Sequence, residues 1–129
     1  MDKIANMLIM IKNANMAGKD SVLVPYSKLK HGIADCLVKG GFIASVSKKT
    51  LEGEKNFLDI KISTTGKKAR ITNVQRISKP SKRVYIKAKD IKRVKQGFGM
   101  MVLSTPKGVM IADQAKKELV GGEALSKIW

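Results

Sequence analysis

Apolar residues first recur at helical spacing, with Ile4, Met7, Leu8 and Ile11 on one face behind Asp2 as N-cap, and the helix is expected to stop near Gly18. The run SVLVP (21–25) is then predicted to be a short strand ended by its proline. Ser27 is positioned to cap a second helix whose stripe is Leu29, Ile33, Cys36 and Leu37, closed by Gly40-Gly41. Two strands are predicted over 42–48 and 56–63, joined by the polar loop TLEGEK. In the second, Leu58, Ile60 and Ile62 alternate with Asp59 and Lys61, as in a half-buried strand. A third strand is expected over 69–77. The composition changes at Ser78-Lys79-Pro80-Ser81, a candidate boundary. Beyond it, 83–87 alternates Val84 and Ile86 with Arg83, Tyr85 and Lys87. One or two helical turns are expected over 90–96, strands over 100–104 and 109–111, a short helix from Asp113 to Val120, and a last strand over 123–129.

Charge sharpens this picture. The 129 residues carry 26 Lys and Arg against 10 Asp and Glu, a net +16 and a pI near 10.1. Residues 67–95 alone hold twelve Lys or Arg against Asp90, a net +11. Solvated faces usually alternate in sign, whereas a one-signed stretch is the footprint of a phosphate backbone. Nucleic acid is therefore the expected partner, ahead of an anionic membrane. Hydrophobic residues make up 43% of the chain, enough for a core. Cys36 stands alone, so no disulfide framework forms, and MLIMI (7–11) is too short to cross a bilayer. With no basic leader or A-x-A cleavage pattern, a cytoplasmic protein is expected.

Catalysis finds little material. His31, the single histidine, is expected on the solvent side of the second helix, and Cys36 inside its apolar stripe. No carboxylates pair except Glu52 and Glu54 in the loop, and Gly97-x-Gly99 lacks the third glycine of a dinucleotide loop and leads into a strand. No enzyme, metal or cofactor is expected.

The stretch GFGMMVLSTPKG (97–108) is more informative. A buried strand ends in Thr105-Pro106-Lys107-Gly108, a tight turn with proline second and glycine fourth. Its hydroxyls, Ser104 and Thr105, either meet RNA bases and 2′-hydroxyls with Lys107 on a phosphate, or only cap the local backbone. The residues leave both readings open.

The run GFGMMVLSTPKGVM, followed by Gly121-Gly122-Glu123, resembles the signature of the bacterial small-subunit ribosomal protein eight family. The resemblance continues through Asp2, Ile4-Ala5, Met7-Leu8 and Ile11 to Ala14. It extends through Pro25, Ser27 to Lys30, Ile33-Ala34, Leu37 and Gly41 to Ile43, and then Arg76, Ser78, Pro80, Arg83 and Tyr85. It implies an α+β fold of two small α/β domains sharing an interface. Residues 1–78 would be helix, strand, helix and strands; 79–129 would be a mainly antiparallel sheet with a short helix. It further implies a protein that binds the central domain of small-subunit ribosomal RNA early in assembly, beside neighbouring ribosomal proteins. It would be a monomer outside the ribosome and would repress its own operon messenger RNA. Carried over, the RNA-reading residues are Ser104, Thr105, Lys107, Gly121, Gly122 and Glu123, with Tyr85, Lys82 and Arg83 close by and Lys28 and Lys30 as backbone contacts of the first domain. The chain departs from the family at Pro106, usually serine, at Ile111-Ala112, usually Thr-Asp, and at Ser81, Met10 and Lys12. For Glu123 the bland alternative is a strand-edge acid paired with a lysine. A DNA-binding architectural module shares the charge, but no helix here combines a basic face with base-reading side chains.

Overall fold

The computed structural model describes residues 3–51, 53, 55–62, 71, 73–79, 81–91 and 99–129. The Asp2 cap, both loop glutamates, Pro80, Gly97, half of the basic run (Lys67, Lys68, Arg70, Lys92, Arg93, Lys95) and the expected turns over 92–96 lie outside the described residues.

Helix α1 (Lys3–Met16) buries Met7, Leu8, Ile11 and Ala14, close to the predicted stripe, and Gly18 takes the left-handed conformation just beyond it. Strand β1 (Ser21–Pro25) leads to α2 (Lys28–Lys39), where the Ser27 hydroxyl accepts from the Lys30 amide at 3.1 Å. The buried stripe of α2 is Lys30, Ile33, Ala34 and Leu37 with Cys36, an i, i+3, i+4, i+7 series. The prediction had begun this stripe at Leu29, which instead stays 37% exposed, while the aliphatic stem of Lys30 fills the buried position.

Strands β2 (Ser45–Leu51) and β3 (Lys55–Lys61) join β1 in an antiparallel sheet of order β1-β3-β2. Leu58 and Ile60 face the core, as their alternation predicted.

The second sheet has the order β4-β8-β6-β7. β4 is Val74–Arg76, β6 Met100–Thr105, β7 Gly108–Ile111 and β8 Gly122–Ile128, and the two-residue strand β5 (Tyr85–Ile86) also pairs with β8. The expected third strand of the first half is thus β4, and it belongs to the other sheet: Val74 pairs with Ile128, a contact between residues far apart in sequence that local pattern does not encode. β6 is buried on both faces. Met100 and Val102 join the large core built on α1, α2 and β3, whereas Met101 and Leu103 pack with Ala112, Ala115 and Ala124 beneath α3 (Ala112–Lys117). Asp113 is not the cap of α3. Ile111 holds that position, and Asp113 lies in the first turn, where its charge complements the helix dipole.

Candidate nucleic-acid interface

The predicted turn forms as a two-residue hairpin. Thr105 pairs with Gly108 across Pro106-Lys107, and Gly108 adopts φ +119°, a conformation open to glycine. Thr105 is 9% exposed. Its Oγ1 donates to the Gly108 carbonyl at 2.8 Å and accepts from the Lys107 amide at 3.1 Å. The hydroxyl of Thr105 therefore ties the corner together. Ser104 is half-buried, and no hydrogen bond to its hydroxyl is formed among the described residues.

The diglycine has a steric reason. A Cβ on Gly121 would run into the Ile86 carbonyl and lie 2.9 Å from the Lys87 Cα. A Cβ on Gly122 would strike the Ser104 carbonyl and lie 3.0 Å from the Thr105 Cα. These glycines let the start of β8 press between β5 and the turn-bearing end of β6. A bulge in β8 at Leu125, opposite the Val102–Leu103 step of β6, shifts the register just before this end and re-aims the residues beyond it.

The result is a row across four strands. Tyr85 is opposite Glu123, Glu123 opposite Ser104, and Ser104 opposite Val109. Directly opposed residues share a face with Cβ atoms roughly 5 Å apart, so Tyr85, Glu123 and Ser104 stand side by side. Tyr85 is 71% exposed. These residues line a depression of about 680 Å³ together with Thr105, Pro106, Lys87, Leu119 and the two glycines. A second depression of about 520 Å³, lined by Tyr26, Lys28 and His31 of the first half, also reaches Ser104. The spacing between the halves is set where Gly32 of α2 meets Val109 of β7; a Cβ there would lie 2.9 Å from the valine Cβ.

The charged candidates divide. The Arg83 guanidinium donates to both Glu123 carboxylate oxygens, at 3.1 and 3.4 Å, and so neutralises the acid within the site. Lys107 stands 3.9 Å from Glu118, and Lys82 is exposed beside its backbone bridge to Lys79. Lys28 is exposed at the neighbouring depression. Lys30 is buried: its Nζ donates to the Pro25 carbonyl at 3.5 Å, and burial foremost, then the charge of Lys3, lowers its pKa from the usual lysine value. Arg76, counted in the basic run, donates to the Leu125 carbonyl and, at 3.4 Å, to the Ser126 hydroxyl within the sheet.

Five lining residues, Ile86, Lys87, Ala88, Pro106 and Leu119, escaped the predicted site. Lys87 was legible as the next outward residue after Tyr85, whereas nothing in the local pattern marks Leu119. Among the described residues no cluster of three or more His, Cys, Asp or Glu could hold a metal, and no helix is long and apolar enough to cross a membrane.

The arrangement presents an aromatic ring, a hydroxyl unbonded among the described residues and a salt-bridged acid on one edge, with cations around it. Residues 2–129 match the family model described as ribosomal protein S8. The chain is 42% identical over 128 residues to small ribosomal subunit protein uS8 of Mycoplasmopsis agalactiae, covering 99% of this chain and 97% of that one. It is 44% identical over 129 residues to the protein of the same name from Pseudarthrobacter chlorophenolicus, with the same coverage. Against that of Persephonella marina it is 41% identical over 133 residues, covering 99% and 98%.

Proposed function

The chain belongs to the ribosomal protein S8 family and is a structural constituent of the small ribosomal subunit rather than an enzyme, and we propose that it binds the central domain of small-subunit ribosomal RNA directly, through the edge carrying Tyr85, Glu123 and Ser104. The observation that carries this reading is the cross-strand row itself: residues 85, 104 and 123 come from three separate strands onto one face at the mouth of an open depression.

The chain forms two domains, 1–78 and 79–129, and the labour divides between two sets of residues. Exposed cations such as Lys82, Lys107 and Lys28 attract phosphates and set register, whereas Lys30, buried with its ammonium on the Pro25 carbonyl, takes no such part. Recognition comes from the second half. The exposed Tyr85 ring stacks on an unpaired base, and the Ser104 hydroxyl meets a base edge or a 2′-hydroxyl. Thr105, Gly121 and Gly122 act by holding these groups in place, and the Arg83–Glu123 pair lets an acid accept from base amino groups without repelling the backbone. Binding is early in assembly, by a monomer in the cytoplasm that then meets neighbouring ribosomal proteins. The same edge represses translation of its own operon by holding messenger RNA that imitates the ribosomal site.

Two variants test the division. Lys82→Ala lowers affinity alike for a central-domain transcript and for a perfectly paired RNA duplex, and flattens the salt dependence by about one unit. Thr105→Ala loosens the corner and costs ~1–2 kcal/mol of preference for the transcript over the duplex. Equal losses for both variants on both RNAs would discard the reading.

A further inference from the structure

Helix α3 ends in a way its sequence should avoid. Glu118 is the C-cap, the Leu119 amide donates to the Lys116 carbonyl at 3.2 Å, and the Val120 amide donates to the Ala115 carbonyl at 3.0 Å. This paired closure requires a left-handed residue at position 119, where glycine or asparagine is at ease. Leu119 occupies it at φ +58°, the one non-glycine residue with positive φ among the described residues. Elsewhere the chain uses glycine for such a conformation, at Gly18, Gly41, Gly53 and Gly108.

A leucine would repay its strain by packing, but this one does not. At 83% exposure it is the most exposed large hydrophobic side chain among the described residues. Two unfavourable choices, a strained backbone and a solvated apolar group, thus coincide at one residue. Strain of this kind collects where a ligand is gripped. Position 119 also lies at the rim of the depression lined by Tyr85, Thr105 and Gly121.

We infer that Leu119 is an RNA-contacting residue, an apolar wall that covers the face of an unpaired nucleotide, its base or ribose carbons, held in the same depression as Tyr85. This rests on the RNA-binding reading above and adds a residue to it. The net +16 of the chain favours a polyanion over a neighbouring protein as the occupant. Because leucine carries no charge, its contribution is independent of salt, in contrast to that of every lysine around it.

The test separates strain from contact in the full-length protein. Leu119→Gly and Leu119→Asn relieve the left-handed strain and remove the apolar group, whereas Leu119→Met keeps an apolar side chain. The expected result is a thermal midpoint raised by about 3 °C for the glycine variant. Its affinity for the central-domain transcript falls roughly five- to tenfold with an unchanged salt slope, and its affinity for perfect duplex is unaltered. The asparagine variant loses affinity likewise, and the methionine variant binds within about twofold of the parent. Glycine and asparagine variants that bind the transcript as tightly as the parent overturn the inference while leaving the RNA reading standing. A parent protein that does not prefer the transcript to duplex overturns both.

Discussion

The two sheets of this molecule solve different problems. The sheet β1-β3-β2 buries one face under two helices and turns the other outward, and its one buried acid serves stability. Asp59 sits at the centre of β3, 5% exposed, with Lys49 at 2.9 Å and Lys61 at 3.3 Å. The second sheet gives up side chains to bring backbones together, at Gly121 and Gly122, and at that end sets Tyr85, Glu123 and Ser104 side by side on one face. The first holds by burial and charge pairing; the second holds by close fit, and so ties its stability to the geometry of the site.

That contrast breaks most sharply at the diglycine. Gly122→Ala forces a methyl group against the Ser104 carbonyl, backbone that cannot swing away, and the expected cost is about 3 kcal/mol of stability with loss of discrimination between transcript and duplex. Denaturant melts and binding titrations on the same variant check both. A full-affinity Gly122→Ala protein would mean that the edge tolerates displacement.

The complementary variant in the first sheet is Asp59→Asn. The hydrogen bond from Lys49 chiefly, aided by Lys61, holds the Asp59 carboxyl below the usual carboxylate range even though burial pushes it up. A folded-state pKa below the unfolded one contributes stability that is complete above the unfolded carboxylate range and disappears as pH falls through the lowered folded value. Asp59→Asn is expected to cost about 1–2 kcal/mol at pH 7, since both lysines are half exposed, and to leave RNA affinity intact. Melts in acid sharpen the assignment: the gap between parent and variant closes as pH drops through that window. A gap that stays constant would remove Asp59 from its role.

The smallest effect is at Cys36. Burial pushes its thiol up to about 11, so the thiolate fraction at pH 8 is on the order of one in a thousand. Alkylation is expected only as fast as α2 opens, which mass spectrometry follows directly.

Much of this was legible where structure is local. The alternation of Leu58 and Ile60, the Ser27 cap and the turn at Pro106-Lys107 all follow from spacings of a few residues. What escaped involves distant pairing or dual-natured side chains. β4 changes sheet because its partner is at the far end of the chain, and Lys30 hides because its stem is apolar while its head is not. The family resemblance drew attention to the diglycine, but its steric work against Ile86 and Ser104 depends on strands that meet only in the fold. Leu119 breaks the rule by which a helix end is read, since no glycine marks the left-handed residue.

The central claim, that the Tyr85–Glu123–Ser104 edge is where RNA docks, is tested most directly by cleavage from a tethered iron chelate. Cys36 is buried, so one chelate can be placed on Pro106→Cys and, in a second protein, on Leu51→Cys at the end of β2. On naked small-subunit RNA, position 106 is expected to cut the central domain strongly at a few adjacent nucleotides and position 51 to cut weakly or not at all. Strong cleavage from 51 with silence from 106 would contradict the account.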